Sequence, residues 1–145
     1  MSKTLLYGAT KIDETNAAYA AVATIEQFQW KNRVFIVFAD ADNSRAARQE
    51  NQLLADRVAL DERDMIVLKL VGSSIKPLFG SGDGLNGEAL REELEAPETG
   101  EFAAFLVGKD GAIKLKASEP ISSGELFAII DSMPVRAGET VRPEK

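Results

Sequence analysis

Val34-Phe-Ile-Val-Phe38 is an unbroken run of branched and aromatic residues, and Met65-Ile-Val-Leu-Lys-Leu-Val71 comes close to repeating it. A strand with one wet face alternates apolar and polar residues. An uninterrupted run belongs instead to a strand buried on both faces, as the central strands of parallel sheets are. Between the two runs, residues from about Ser44 to Val58 place Ala47, Leu54 and Val58 on one helical stripe, and Asp61 to Asp64 breaks it. Strand, helix, strand in this order predicts a parallel pair joined by a right-handed crossover.

The flanking segments extend this unit. Asp13 to Phe28 has apolar residues at helical spacing, as one helix or as two if Thr24 and Gln27 form a capping box. Gly72 to Gly87, with five glycines and a proline, reads as a long loop, and Glu88 to Leu94 as a short helix. Phe102 to Val107 is a third strand, joined through Lys109-Asp110-Gly111 to the alternating Ile113-Lys-Leu-Lys116, a hairpin signal. Ser122 and Glu125 form a capping box for a last helix, with Leu126, Ile129, Ile130 and Met133 inward and Pro134 as its stop. The expected fold is therefore α/β: a three-layer sandwich of thioredoxin-like type, with a mixed sheet of about four main strands flanked by helices. A chain of 145 residues suits one domain. It divides into a partly helical extension at 1–23, the thioredoxin-like domain at 24–136 and a flexible tail at 137–145.

Composition removes several chemistries. Without Cys or His, the chain cannot carry out thiol–disulfide or peroxidase reactions or serine–histidine catalysis, and the usual zinc ligands are missing. Seventeen basic and 23 acidic residues leave a net charge of −6, which argues against binding nucleic acid or an anionic membrane. No apolar run reaches the roughly 18–20 residues of a membrane span. Met1 to Tyr7 starts like a signal peptide, but Lys11, Asp13 and Glu14 interrupt it. A cytoplasmic location is the default expectation, or a periplasmic or extracellular one if a leader has been removed. No cofactor is expected.

Trp30-Lys-Asn-Arg33, Glu62-Arg-Asp64, Val107-Gly-Lys-Asp-Gly111 and Leu126-Phe-Ala-Ile-Ile-Asp131 with Met133-Pro134 carry a family resemblance over about Thr24 to Arg136. The chain resembles an uncharacterised thioredoxin-like, peroxiredoxin-like domain of unknown function. That domain occurs in small bacterial proteins and in extracellular animal proteins with sushi repeats or matrix-binding regions. The resemblance implies a fold and, for animal members, matrix association, but no settled activity. Registering thioredoxins on Phe38 puts their two cysteines at about Asn43 and Ala46, and registering on the hairpin puts their cis-proline near Ala103. None of those residue types is present there.

Asp40, Asp42, Asn43 and Ser44 follow the central strand and open the next helix. Ligands bind at this end of open α/β sheets, yet the same residue types cap helices. Both readings are open: a cap, or a site for a divalent cation or small ligand. A third reading takes Asp40-Ala-Asp42 as the Asp-x-Asp of haloacid-dehalogenase phosphatases, with Asp40 as nucleophile, Asp42 as acid and base, and magnesium bridging. Val71-Gly-Ser-Ser74, Lys76 and Gly82 to Asn86 would complete it, but only 43 positions separate Asp40 from Asp83, too few for the intervening elements. Gly80 to Gly84 lacks the Lys-Ser/Thr ending of a phosphate loop and reads as a connection. Trp30 with Lys31 and Arg33 reads either as a surface contact or, the leading expectation, as a packed indole beside snorkelling basic stems. Lys109, Lys114 and Lys116 form a basic hairpin edge, which discourages sheet pairing or meets an anionic partner; Lys109 is the more distant site candidate. The leading expectation is a redox-inactive module that binds an unknown protein or small ligand, with self-association as a further form.

Overall fold

In the computed structural model of the protein, residues 2–7, 10–15 and 22–133 are described. One seven-stranded sheet runs through them. Its strands are β1 (Ser2–Tyr7), β2 (Thr10–Thr15), β3 (Arg33–Phe38), β4 (Met65–Val71), β5 (Ser74–Phe79), β6 (Ala103–Val107) and β7 (Ile113–Ala117), in the spatial order β1-β2-β7-β6-β3-β4-β5. β3 and β4 pair in parallel, Ile36 opposite Leu68, and β6 pairs antiparallel on the other side of β3, Phe105 opposite Ile36.

The continuous apolar runs do what their composition requires. Phe35 and Val37 of β3, with Met65 and Val67 of β4, enter one core; Val34, Ile36 and Phe38, with Ile66, Leu68 and Leu70, enter the other. Helices α1 (Ser44–Leu54), α2 (Arg57–Glu62) and α4 (Ser123–Asp131) contribute to the first core. Helix α3 (Gly87–Glu93) and a 3₁₀ helix at Ala23–Phe28 contribute to the second, through Leu90, Ile25 and Phe28. This is the three-layer mixed sandwich expected, with three strands beyond the four main ones.

Several local expectations fail. The chain turns after α1, and Asp56 caps α2 by accepting from Ala59 N–H at 3.1 Å, so Val58 lies on a second helix and is 71% exposed. The buried stripe of α1 is Ala46, Gln49 and Leu53; Gln49 can be buried because its amide exchanges two 2.8 Å hydrogen bonds with the backbone of Ile121. Within Gly72–Gly87, Ser74–Phe79 forms β5, turned back by Gly72 at φ 63°; Pro77 is tolerated because β5 is the outermost strand. At the amino end, Thr10–Thr15 is a strand, while residues 16–21 of the expected helix lie outside the described residues. The Thr24–Gln27 capping box does not form, because the Thr24 hydroxyl donates to Glu93 Oε1 at 2.6 Å.

The carboxy-terminal capping box is present: Ser122 Oγ accepts from Glu125 N–H at 3.1 Å and Glu125 Oε1 accepts from Ser122 N–H at 3.2 Å. Leu126, Ile129 and Ile130 are buried and Met133 is partly so. Pro134 and the tail lie outside the described residues.

Candidate functional site at the carboxyl end of the central strand

The parallel β3–β4 pair directs the chain off the sheet at Ala39, whose N–H donates to Leu70 O, and the next residues must turn back to start α1. Asn43 makes that turn with a left-handed backbone, φ 62°, which asparagine tolerates better than most residues. Its own side chain caps nothing. The capping falls to two carboxylates upstream. Asp40, 8% exposed, accepts from Ala46 N–H through Oδ1 at 3.0 Å and from Arg45 N–H through Oδ2 at 3.0 Å. Asp42 Oδ1 accepts from Ser44 N–H at 3.1 Å. The Ser44 hydroxyl lies between them, 2.9 Å from Asp42 Oδ1 and 3.2 Å from Asp40 Oδ2.

Burial by itself would raise the Asp40 carboxyl, since it disfavours charge. The hydrogen bonds from the backbone of Arg45 and Ala46 reverse that and hold it at about 2, below its ordinary 3.8. The negative charge at the positive end of α1 thus comes from within the chain. Both carboxylates engage the next helix, and among the described residues no group of three acids could hold a metal ion. Asn43 is exposed and Ala46 fully buried at the positions where thioredoxins place their thiols. Ala103 pairs with Phe38 at the expected cis-proline position, and no described peptide bond is cis.

Lys109 does not join this cluster. Because β6 runs antiparallel to β3, the turn after Val107 lies beside Val34, at the opposite end of the sheet from Asp40, roughly 20 Å away at a strand's rise per residue. There Lys109 Nζ meets Asp64 Oδ2 at 2.7 Å. The basic hairpin edge is also corrected: β7 is covered by β2, with Asp13 opposite Lys116 in register. Lys114 pairs with Asp110 at 2.8 Å, and the Lys116 ammonium lies 5.7 Å from the centre of the Phe105 ring. Trp30 is not packed. It is 67% exposed at φ 67°, its N–H donating to Lys109 O at 2.6 Å, whereas its neighbour Arg33 is buried and donates to Arg63 O.

Several organising residues carried no obvious sequence signal. Arg45 pairs with Glu119 at 3.0 Å, and the nearly buried Lys69 meets Glu50 at 3.4 Å. Arg91 stacks 4.9 Å from the Phe38 ring centre and donates to Gly72 O at 2.7 Å and Pro97 O at 3.0 Å. Gln49 was findable by reading the stripe of α1 one residue earlier, at Ala46, Gln49 and Leu53.

Residues 24–139 match the model of a domain of unknown function, DUF4174. The chain belongs to that family. It is similar to coiled-coil domain-containing protein 80 of Danio rerio, 31% identical over 134 residues; the match covers 79% of this chain but only 15% of that protein. Among solved structures it resembles the mitochondrial 2-Cys peroxiredoxin of Plasmodium falciparum (TM-score 0.55, 13% identity, covering 82% of this chain and 86% of that one). It also resembles the reduced 2-Cys peroxiredoxin of Plasmodium vivax (TM-score 0.51, 20% identity, 74% and 80% covered). These likenesses establish the thioredoxin-type fold of this DUF4174 domain, which contains no cysteine. No described helix is long and apolar enough to cross a membrane.

Proposed function

We propose that this DUF4174 domain is a redox-inactive thioredoxin-like module that acts by binding a protein or small ligand. The observation that best supports the reading is the closed end of α1. In thiol enzymes a helix N-terminus lowers the pKa of a cysteine; here its first-turn donors are taken by Asp40 and Asp42, and the thiol positions hold Asn43 and Ala46. The phosphatase alternative finds no support, because its nucleophile would be Asp40, whose two oxygens already accept backbone hydrogen bonds. Loops at the carboxyl end of β3 are the part of such a sheet where ligands most often meet it.

Two assays test this. p-Nitrophenyl phosphate with magnesium, and hydrogen peroxide with dithiothreitol, are each expected to turn over no faster than without protein, and magnesium is expected to leave Tm unchanged. Turnover of either probe that disappears in Asp40→Asn would overturn the reading. Sedimentation at several concentrations tests whether the partner is a second copy.

A further inference from the structure

The four segments that carry the family resemblance lie far apart in the chain and meet at the amino end of β3, the opposite end of the sheet from Asp40. Arg33 donates to Arg63 O at 3.0 Å, Arg63 donates to both oxygens of Asp131 at 3.1 and 2.8 Å, and Lys109 reaches Asp64. Out of this framework stands Trp30. It is exposed, and no aromatic or cationic group among the described residues stacks on its ring. Its left-handed backbone is unfavourable for any residue with a side chain, and the fold recovers little burial in return. Strain of this kind clusters at functional positions.

The turn that presents the indole is already ordered. The N–H groups of Lys31 and Asn32 donate to Phe28 O at 2.9 and 2.8 Å, and that of Trp30 to Lys109 O. The Gln29 amide nitrogen donates to Asp110 O at 3.0 Å, and the Asn32 amide nitrogen to Asp64 O at 3.1 Å. Both amides are thus anchored through nitrogen beside the same turn. Neither amide oxygen has a partner among the described residues, nor does the ammonium of Lys31. A ligand here meets fixed groups and has no loop to order.

The surroundings of the ring narrow the ligand class. The energetic centre of a protein interface is a patch of several apolar side chains. Residues 26, 27, 29, 31 and 32 are all polar, and the other exposed large apolar residues, Val58 and Val71, lie on α2 and at the far end of β4. A quaternary ammonium is held in a cage of several rings, and Trp30 is a single one. A pyranose with equatorial hydroxyls fits this arrangement. Its axial C–H groups make a flat apolar face for one indole, and the hydroxyls at its rim donate to amide oxygens and accept from an ammonium. The net charge of −6 disfavours an acidic sugar.

We propose that Trp30 is the stacking platform of a carbohydrate site for a neutral, β-linked, gluco-configured glycan, with Gln29, Lys31 and Asn32 meeting its hydroxyls. The proposal rests on the binding reading above and supplies the ligand class.

Trp30 is the chain's single tryptophan, so its intrinsic fluorescence reports on the site directly. Titration of the full chain with cellohexaose or chitohexaose is expected to give a saturable change with at least one of them. Trp30→Gly, followed by isothermal titration calorimetry, is expected to weaken that binding about tenfold or more while its Tm does not fall. Lys31→Ala is expected to weaken it about threefold with Tm unchanged, and Val71→Ser, remote from the site, to leave it unaltered. Decaproline, a peptide that also stacks on exposed indoles, is expected to bind more weakly than the better hexasaccharide. No saturable change with either sugar, undiminished binding by Trp30→Gly, or tighter binding of decaproline overturns the proposal. Such failures alongside inactive phosphatase and peroxide assays count against this site alone; turnover in those assays counts against the binding reading.

Discussion

Replacing Asp40 with Asn should cost this domain stability in proportion to the charge that α1 receives from it. In the folded chain the Asp40 carboxyl titrates at about 2 against an ordinary 3.8, a gap corresponding to about 2 kcal/mol. Because the group is 8% exposed, solvent screens little of this. The loss of a helix cap, typically about 1 and at most about 2 kcal/mol, gives the same scale by another route. The sign follows from the depressed pKa. Asp40 stabilises the fold fully above pH 3.8, and the contribution fades as pH falls toward 2, where the folded state also binds the proton. Asn has no proton to bind in this range, so the difference between the two proteins inherits that dependence. Urea unfolding at pH 7 should show the variant less stable by about 2 kcal/mol, a drop of roughly 4–8 °C in Tm. The gap should halve near pH 3 and become small near pH 2. A gap below about 0.5 kcal/mol at neutral pH, or one that does not narrow with acid, would refute the assignment of Asp40 as the charge at the helix end.

Three further substitutions probe other parts of the architecture. Gln49→Leu strands the buried backbone N–H and carbonyl of Ile121 and should destabilise by about 2–4 kcal/mol in urea; a change under about 1 kcal/mol would mean those groups find other partners. Gly87→Ala would push a methyl group into the carbonyl oxygen of Ser73, and chemical denaturation should register a loss of about 1–3 kcal/mol, an unchanged midpoint being the contrary result. Trp30→Gly relieves a left-handed backbone and gives up little burial, so calorimetry should show a gain of about 1 kcal/mol, whereas a lower Tm would reveal contacts of the indole. Hydrogen exchange tests a fourth site: Glu93→Ala should speed exchange at the amides of Ala23 and Thr24, which donate to Glu93 at 2.7 and 2.9 Å, and leave those of Arg45 and Ala46 protected.

The local patterns that could be read correctly are those in which neighbouring residues carry the cause. Val34–Phe38 announces two buried faces because every residue in it is apolar, and Ser122 and Glu125 announce a helix start because both halves of the box lie within one turn. Ser74–Phe79 was hidden by its proline and the surrounding glycines; only its place at the sheet edge makes a strand there permissible. Trp30 misled in the opposite way. An indole beside basic stems ordinarily packs, yet hydrogen bonding to Lys109 O, 79 positions away, turns the backbone so that the ring faces water.

The candidate site divides along the same line. That Asp40, Asp42, Asn43 and Ser44 stand at a strand-to-helix turn, and that no thiol chemistry is possible, are properties of residue order and composition and were legible there. Which of the two open readings the carboxylates fulfil depended on where the first turn of α1 aims its N–H groups. That direction is set by the docking of α1 on the sheet through Ala46, Gln49 and Leu53. Lys109 was separated from them by strand polarity, and Arg91 was drawn inward by carbonyls contributed from two other loops. These outcomes follow from how the helices, strands and loops dock on one another, since docking sets where α1 aims its N–H groups, which end of the sheet holds Lys109 and which carbonyls face Arg91.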